Sequence, residues 1–392
     1  MMDGLRNPKF VIRPCSFVIF LLLFAAATVR AEPIRARALG VPFEGQPGPL
    51  NAITDVPSVT VGHTTLIAGD GPLIVGQGPV RTGVTAILPR GRDALDDPVF
   101  AGVFALNGNG EMTGAAWVEE SGFLEGPVLL TNTHSVGVVR DAVIAWRVAH
   151  GPPDQSGYYW SLPVVAETWD GWLNDANGFH VKPEHVFQAI DRAAAGPVAE
   201  GSVGGGTGMV CYEFKGGIGT ASRRVGRGDA TYTVGVLVQA NMGLRGQLVV
   251  AGVSVGKEIP EGARRREESG SIIIVIATDA PLLPHQCKRL ARRAALGFAR
   301  TGSVSGNGSG DLFIAFSTAN SGAGAASGAR SLQMLPNEEL SPFFNATVQA
   351  VEEAIVNALV DNEPMTGRDG HRVEALPHER LREVLRQYHR LE

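Results

Sequence analysis

Apolar positions follow two different periods along this chain, and each period predicts its own kind of element. Runs rich in β-branched and aromatic residues predict strands at 59–61, 84–88, 99–105, 231–240, 248–255, 272–277 and 312–316. Apolar residues three or four positions apart predict helices over 137–150, from Pro183, from near Pro284, from Ser341 and, with many charges, at the end of the chain. Strands and helices mixed in this way predict an α/β fold in which helices cover layered sheets.

The sharpest change of pattern lies at Ser271. Residues 257–270 (KEIPEGARRREESG) are mostly polar and charged, whereas residues 272–277 (IIIVIA) are all apolar. A flexible segment therefore ends in Gly270, and Ser271 opens a predicted buried strand. This arrangement suits an enzyme that cuts its own backbone before a serine. The new terminal serine would carry a hydroxyl and an α-amine, whose ordinary pKa of about 7.7–8.0 suits a base near neutral pH. An ordinary loop-to-strand junction is the alternative.

A second serine, Ser254, matches the nucleophile-elbow pattern G-x-S-x-G in residues 252–256. Asp279 and His285 follow it in the order that a catalytic triad on such an elbow requires. The pattern needs a helix directly after the serine, and Pro260 argues against a helix there. The elbow interpretation is therefore not favoured.

Bulk composition narrows the possible classes of function. The chain has 392 residues, of which 44% are hydrophobic, so it can bury a sizeable core. Its net charge of −5 and its scattered Arg and Lys argue against nucleic acid as a partner. No spacing of His or Cys predicts a metal site, and no cofactor is expected. Whether Cys211 and Cys287 pair is left open, although Cys287 lies in a helical pattern typical of a buried thiol.

Residues 1–31 have the pattern of a secretory signal peptide. Three basic residues precede a short apolar run at 17–27, which is too short for a comfortable membrane span. Residues 29–31 (VRA) fit the small-residue rule for signal cleavage, so a single mature domain is predicted over 32–392. We therefore expect an exported, periplasmic protein without a stable membrane anchor, with an uncleaved anchor as the alternative.

Four further residues carry chemistry that could serve Ser271. Glu167 is a carboxylate among apolar residues and could hold the ammonium group of a substrate. Asn241 ends a predicted strand and could donate from its amide to a developing oxyanion. Ser309 and Asp311 precede another strand and could relay a proton. Each of the four could equally be a turn or edge-strand residue.

Taken jointly, these features resemble the β-aminopeptidase family, which includes the L-aminopeptidase/D-esterase/amidase enzymes. The resemblance extends over nearly the whole of the mature chain and depends on specific motifs rather than on composition. The segments that carry it are 53–63 (ITDVPSVTVGH), 107–114 (NGNGEMTG), 131–137 (TNTHSVG), 166–171 (AETWDG), 204–209 (GGGTGM), 238–241 (VQAN) and 270–285 (GSIIIVIATDAPLLPH).

The resemblance implies a four-layer α/β/β/α sandwich, similar to the N-terminal-nucleophile hydrolases but with a different connectivity. It implies a precursor that cleaves itself into an α chain, 32–270, and a β chain, 271–392, which remain together. Members of the family assemble as oligomers, often tetramers of αβ units. They hydrolyse the N-terminal residue from peptides, amides or esters with a free N-terminus, and some accept β-amino acids or D-residues.

The resemblance also implies roles for individual residues. Ser271 matches the nucleophile, and Gly270 precedes it at the bond to be cut. Asn241 matches the oxyanion donor. Ser309 matches a second serine near the nucleophile, and Glu167 matches the carboxylate that binds the substrate's amine.

Two positions depart from the family pattern. Asp311 stands where a glutamate is expected, so its carboxylate is one methylene shorter. Trp169 stands where some members have tyrosine; it lacks a phenolic hydroxyl and is expected to wall the substrate pocket. The proton acceptor is left open between the amine of Ser271 and the pair formed by Ser309 and Asp311.

Two other functions compete with the aminopeptidase. An acyltransferase of the ornithine acetyltransferase type shares the self-cleaving architecture, but its nucleophile is usually threonine. A serine nucleophile and an exported chain both count against this reading. The other candidate is a non-catalytic periplasmic binding protein that retains the fold and migrates as one uncut chain.

Overall fold

A computed structural model of the protein describes residues 34–151, 159–227, 230–264 and 270–391. The described residues belong to one compact unit. The predicted signal peptide lies outside the described residues, so it stays a prediction. Within the described ranges, no helix is both long enough and apolar enough to cross a membrane.

Strands and helices are interspersed along the described ranges. The strands are β1 (Thr60–Ala68), β2 (Val80–Leu88), β3 (Val99–Ala105), β4 (Phe123–Leu124), β5 (Val128–Asn132), β6 (Val164–Thr168), β7 (Val210–Cys211), β8 (Phe214–Lys215), β9 (Gly217–Arg227), β10 (Ala230–Asn241), β11 (Ser271–Thr278), β12 (Leu312–Ser317), β13 (Met365–Thr366) and β14 (Arg372–Val373). The helices are α1 (Ala115–Ser121), α2 (Val136–His150), α3 (Pro183–Asp191), α4 (Val255–Glu258), α5 (Pro284–Arg300), α6 (Ser341–Val360) and α7 (His378–Gln387).

Two sheets organise the described part of the molecule. One has the strand order β1-β2-β5-β6, and the other has the order β4-β3-β12-β11-β10-β9. The pairs β5–β6 and β11–β12 are parallel, and the remaining pairs in both sheets are antiparallel. Short antiparallel pairs, β7–β8 and β13–β14, lie outside these sheets.

Strand β11 shows how the layers stack. Its side chains at 272, 274 and 276 join an apolar cluster with Leu290 of α5 and Leu359 of α6. The alternate side chains at 273, 275 and 277 join a second cluster with Leu130 of β5, in the other sheet. Both faces of β11 are therefore buried, which explains why the sequence after Ser271 is continuously apolar.

A third apolar cluster completes the stack. It joins the outer face of the smaller sheet, at Val165 of β6, to Val139 of α2 and Ile190 of α3. The order is thus helices, sheet, sheet, helices. The four-layer α/β/β/α sandwich expected from the resemblance is confirmed.

The strand predicted at 248–255 is wrong. Ala251 and Gly252 have positive φ angles of 51° and 78°, and they reverse the chain so that Val250 and Val253 form an isolated bridge. The buried residues of this segment are Leu248, Val250, Val253 and Val255, and they pack into the core from a tight turn. A short apolar run does not by itself separate a strand from such a turn.

The predicted absence of a helix after Ser254 is also wrong, because the four-residue helix α4 ends before Pro260. The nucleophile elbow is nevertheless not assembled. The side chain of Ser254 is exposed, and the carboxylate of Asp279 accepts the N–H of Thr233 at 2.7 Å. Cys211 and Cys287 are both buried and do not form a disulfide with each other.

Candidate active site

The ends of three strands meet at one edge of the larger sheet. Ser271, the first residue of β11, lies opposite Asn241, the last residue of β10. Because β12 is parallel to β11, the residues just before β12 reach the same edge. Ser309 and Asp311 are such residues, and the fold therefore brings four of the predicted site residues together.

The hydroxyl of Ser271 is fixed by the loop that precedes β12. The N–H of Gly310 donates to the Ser271 Oγ at 3.0 Å. The N–H of Ile272 donates to Oδ1 of Asp311 at 3.2 Å. Ser271 itself is only 5% exposed, so the candidate nucleophile lies in a site largely closed to bulk water.

The carboxylate of Asp311 binds two serine hydroxyls. Ser309 Oγ donates to Oδ1 at 2.6 Å, and Ser305 Oγ donates to Oδ2. The pair predicted from Ser309 and Asp311 is therefore formed. Ser305 was not predicted, because its contact with Asp311 depends on how the loop folds.

The amide of Asn241 is oriented by backbone groups on both sides. Its Oδ1 accepts the N–H of Val210 at 2.8 Å, and its Nδ2 donates to the carbonyl of Trp169 at 2.9 Å. A β-carbon added to Gly270 would lie 2.1 Å from the Asn241 carbonyl oxygen and 3.2 Å from Nδ2. The φ angle of Gly270 is 126°, in the region that favours glycine. The amide thus lies directly beside the bond expected to be cut, and glycine is the residue that fits there.

A buried lysine supports the loop that holds Asn241. Lys215 donates from Nζ to the carbonyl oxygens of Met209 at 2.9 Å and Gly216 at 2.7 Å. Burial lowers the pKa of its ammonium group to about 7. These bonds close the segment that presents the Val210 N–H to Asn241, and nothing in the local sequence signals them.

Glu167 faces the same edge from the smaller sheet. It lies on β6 opposite Thr131 of β5, and it accepts the hydroxyl of Thr133 at Oε2 and the N–H of Glu111 at Oε1, the latter at 3.1 Å. Glu167 is 3% exposed. Burial raises the pKa of its carboxyl above the ordinary value, although the bond from Thr133 opposes the rise.

Close packing of glycines joins Glu167 to the Ser271 side of the site. A β-carbon added to Gly110 would lie 3.3 Å from the Glu167 Oε1 and 3.0 Å from the Cα of Gly310. Gly310 is the residue that donates to the Ser271 hydroxyl. The Glu167 carboxylate, which can hold an ammonium group, is therefore separated from the Ser271 hydroxyl by the packed backbone at Gly110 and Gly310.

Trp169 contributes to the site through its backbone, since its carbonyl accepts from Asn241. Its side chain is 42% exposed, and its expected role as a wall of the substrate pocket stays a prediction. The described ranges contain no group of three His, Cys, Asp or Glu residues that could hold a metal ion.

The sequence of this chain matches the model of peptidase family S58 over residues 51–373. That span is most of the chain and contains every site residue described above. The chain belongs to peptidase family S58. Its curated relatives include the beta-peptidyl aminopeptidases BapA of Sphingosinicella microcystinivorans, 54% identical over 95% of this chain and 96% of that protein, and of Sphingosinicella xenopeptidilytica, 50% identical over 93% of this chain and 94% of that protein.

Solved structures of similar sequence agree with this family. The L-aminopeptidase D-Ala-esterase/amidase of Ochrobactrum anthropi is 49% identical and superposes with a TM-score of 0.85, covering 91% of this chain and 99% of that chain. A beta-aminopeptidase of Burkholderia sp. is 51% identical, with a TM-score of 0.83 over 90% of this chain and 99% of that chain. The Ochrobactrum protein is described as a prototype serine aminopeptidase with a variant of the Ntn hydrolase fold.

The S58 assignment confirms the resemblance found in the sequence. The protein is a serine aminopeptidase and therefore a hydrolase. Self-processing is implied by the S58 family. The roles of the individual residues and the division into two chains stay predictions.

Proposed function

We propose that this chain is an exported precursor that cuts itself between Gly270 and Ser271 and then acts as an N-terminal serine aminopeptidase. The observation that carries the proposal is the position of the Asn241 amide, which lies beside Gly270 while Asn241 pairs with Ser271 across two strands. A nucleophile, an adjacent carbonyl and an oxyanion donor are thus in place within one chain.

Self-cleavage begins when Ser271 Oγ attacks the carbonyl carbon of Gly270. The amide of Asn241 stabilises the tetrahedral oxyanion, and the amide nitrogen of Ser271 leaves with a proton, which gives an ester. The α-amine of Ser271 becomes free in this step. Water then hydrolyses the ester, which leaves a carboxylate on Gly270, restores the hydroxyl of Ser271 and makes Ser271 the new N-terminus.

Turnover uses the same hydroxyl on a substrate carbonyl and passes through an acyl-enzyme. The proton of Ser271 Oγ is accepted either by its own amine or by the pair of Ser309 and Asp311. Glu167 holds the ammonium group of the substrate, so only peptides, amides and esters with a free N-terminus are accepted. The close packing of Gly110 against both Glu167 and Gly310 supports a site in which the bound ammonium group lies near the attacked carbonyl.

We infer that the accepted residues include β-amino acids. Relatives at 54% and 50% identity are named beta-peptidyl aminopeptidases, and a solved relative is named a beta-aminopeptidase. The name of another relative includes D-Ala esters and amides, so D-residues belong in the same set of test substrates.

The strand order supports the proposal that both products stay together after the cut. Strands β11 and β12 belong to the β chain, and they lie between β3 and β10 of the α chain. Backbone ladders hold β11 to β10 and β12 to β3 on the two sides. Assembly into a tetramer of αβ units and export to the periplasm complete the proposal, on the basis of the family resemblance and the predicted signal peptide.

Intact mass spectrometry and a substrate panel test the proposal. The purified protein is expected to give two chains with termini at Glu32, Gly270, Ser271 and Glu392. It is expected to release β-alanine, or an N-terminal β-homo residue, from an amide. Transfer from N-acetylornithine to glutamate without amide hydrolysis would instead support the acyltransferase. One uncut, inactive chain that binds the panel would support a binding protein.

Replacement of Glu167 by Gln is expected to raise KM roughly ten-fold to hundred-fold, because a charge-assisted bond to the substrate ammonium is lost. The raised pKa of Glu167 means that its carboxyl gains a proton at a higher pH than an ordinary glutamate. The ordinary pKa of a glutamate is 4.5. As the pH is lowered, kcat/KM of the wild type should therefore begin to fall at a pH above that value. Steady-state kinetics across pH should show that this acidic limb is missing in the variant.

The matched control is Glu111→Gln, which removes an exposed carboxylate near Glu167 while its backbone N–H still donates to Glu167 Oε1. This variant should keep the acidic limb, moved to lower pH because the charge of Glu111 helps to raise the pKa of Glu167. An unchanged KM and an unchanged limb in Glu167→Gln would contradict the proposed binding role of Glu167.

A further inference from the structure

We infer that Ser305 is a positioning residue for the pair of Ser309 and Asp311, and that it acts by holding the carboxylate of Asp311. The inference rests on the form of the proposed function in which this pair accepts the proton of Ser271 Oγ. Ser305 lies outside the motifs that carry the family resemblance. Its role follows from the contacts and the backbone conformation of the loop before β12.

The two oxygens of Asp311 have different partners. Oδ1 accepts from Ser309 Oγ at 2.6 Å and from the N–H of Ile272 at 3.2 Å. Oδ2 accepts from Ser305 Oγ. The side chain of Asp311 is fully buried, so a lost donor at Oδ2 is not easily replaced by bulk water.

The backbone of Ser305 is held in an unfavourable conformation. Its φ angle is 57°, in the left-handed region, which is unfavourable for a residue other than glycine. The amide of Asn107 holds the turn by donating to the carbonyls of Ser305 at 3.2 Å and Gly306 at 2.6 Å. The N–H of Ser305 donates to Ser303 Oγ at 3.2 Å. An unfavourable backbone conformation of this kind persists where surrounding contacts maintain it. In this conformation the Ser305 hydroxyl reaches Asp311.

The short side chain of Asp311 explains why such a donor is useful. Rotation about the Cβ–Cγ bond of aspartate is soft and nearly two-fold. A donor on each oxygen selects one plane for the carboxylate, and in that plane Oδ1 meets Ser309. Loss of the Ser305 hydroxyl therefore weakens the alignment of Ser309 and leaves the pocket for the substrate ammonium unchanged.

The test compares Ser305→Ala and Ser305→Gly with the wild type. Glycine adopts the left-handed backbone without strain, so Ser305→Gly keeps the loop if alanine does not. Both variants should lower kcat about ten-fold, which corresponds to one hydrogen bond to a charged group, with KM within about two-fold of the wild type. A loss in kcat at nearly constant KM distinguishes misalignment of the Ser309–Asp311 pair from damage to the substrate pocket.

The control is Ser303→Ala, which removes the loop's acceptor for the Ser305 N–H but leaves the Ser305 hydroxyl in place. A kcat for Ser305→Gly that matches the wild type would overturn the inference. Equal losses in Ser303→Ala and Ser305→Gly would also overturn it, because loop integrity would then explain both. A wild type without aminopeptidase turnover would refute the proposed function instead.

Discussion

The variant Ser271→Ala is expected to remain one uncut chain with no detectable aminopeptidase turnover. Both reactions need the same Oγ, and alanine offers no atom that could attack either carbonyl. The sheet should form normally, because the Ser271 hydroxyl accepts one backbone N–H at a strand end and the apolar residues of β11 are unchanged. A denaturing gel and intact mass spectrometry report the cut, and circular dichroism reports the fold.

The chain offers a matched control for this experiment in Ser254→Ala. Ser254 is the exposed serine of the G-x-S-x-G segment, and its replacement should leave cleavage and turnover at wild-type rates. Two fragments from Ser271→Ala would rule out Ser271 as the nucleophile. Loss of activity in Ser254→Ala would point to the elbow serine instead.

The variant Asn241→Ala is expected to lower both the rate of self-cleavage and kcat by about 10²–10³, the usual cost of removing one oxyanion donor. The amide is oriented in advance by Val210 and Trp169, so it needs no rearrangement as charge develops on the carbonyl oxygen. Steady-state kinetics of the cleaved fraction with an amide substrate measure kcat. Timed gels of freshly refolded precursor measure the rate of cleavage.

Asn357→Ala serves as the control for lost amide bonds. The amide of Asn357 is buried and bonds to the carbonyl of Thr220 at 3.0 Å and to the N–H of Ala36 at 3.0 Å, on α6 and away from the candidate site. This variant should lose stability but keep the turnover of its folded fraction. If Asn241→Ala lost only stability and kept kcat, then Asn241 would not be the oxyanion donor.

The layers of the fold were predictable because they depend on local patterns. The continuous apolar run of β11 predicted a strand buried on both faces, and the helical spacing around Leu290 predicted α5. The segment 248–255 is as rich in apolar, β-branched residues as a strand, but a turn at Ala251 and Gly252 folds it back. Its conformation is set by the core that it packs against.

The site was predictable where chemistry is carried by a side chain at the end of a strand. Asn241 and Glu167 are such residues. The donors of Gly310 and Val210 are backbone groups, which every residue type other than proline supplies, so sequence does not mark them. Thr133 lies directly after β5, in the segment 131–137 that helps to carry the family resemblance. The parallel pairing of β5 with β6 could have placed it near Glu167.

The strand order of the larger sheet links activity to folding. The two central strands, β11 and β12, are flanked on both sides by strands that precede Gly270. Neither segment can complete this sheet alone, so the attack geometry at Ser271 exists only after the whole chain has been made and folded. Under the proposed self-cleavage, the cut would therefore report completed folding, because a truncated or misfolded copy would not free the α-amine of Ser271.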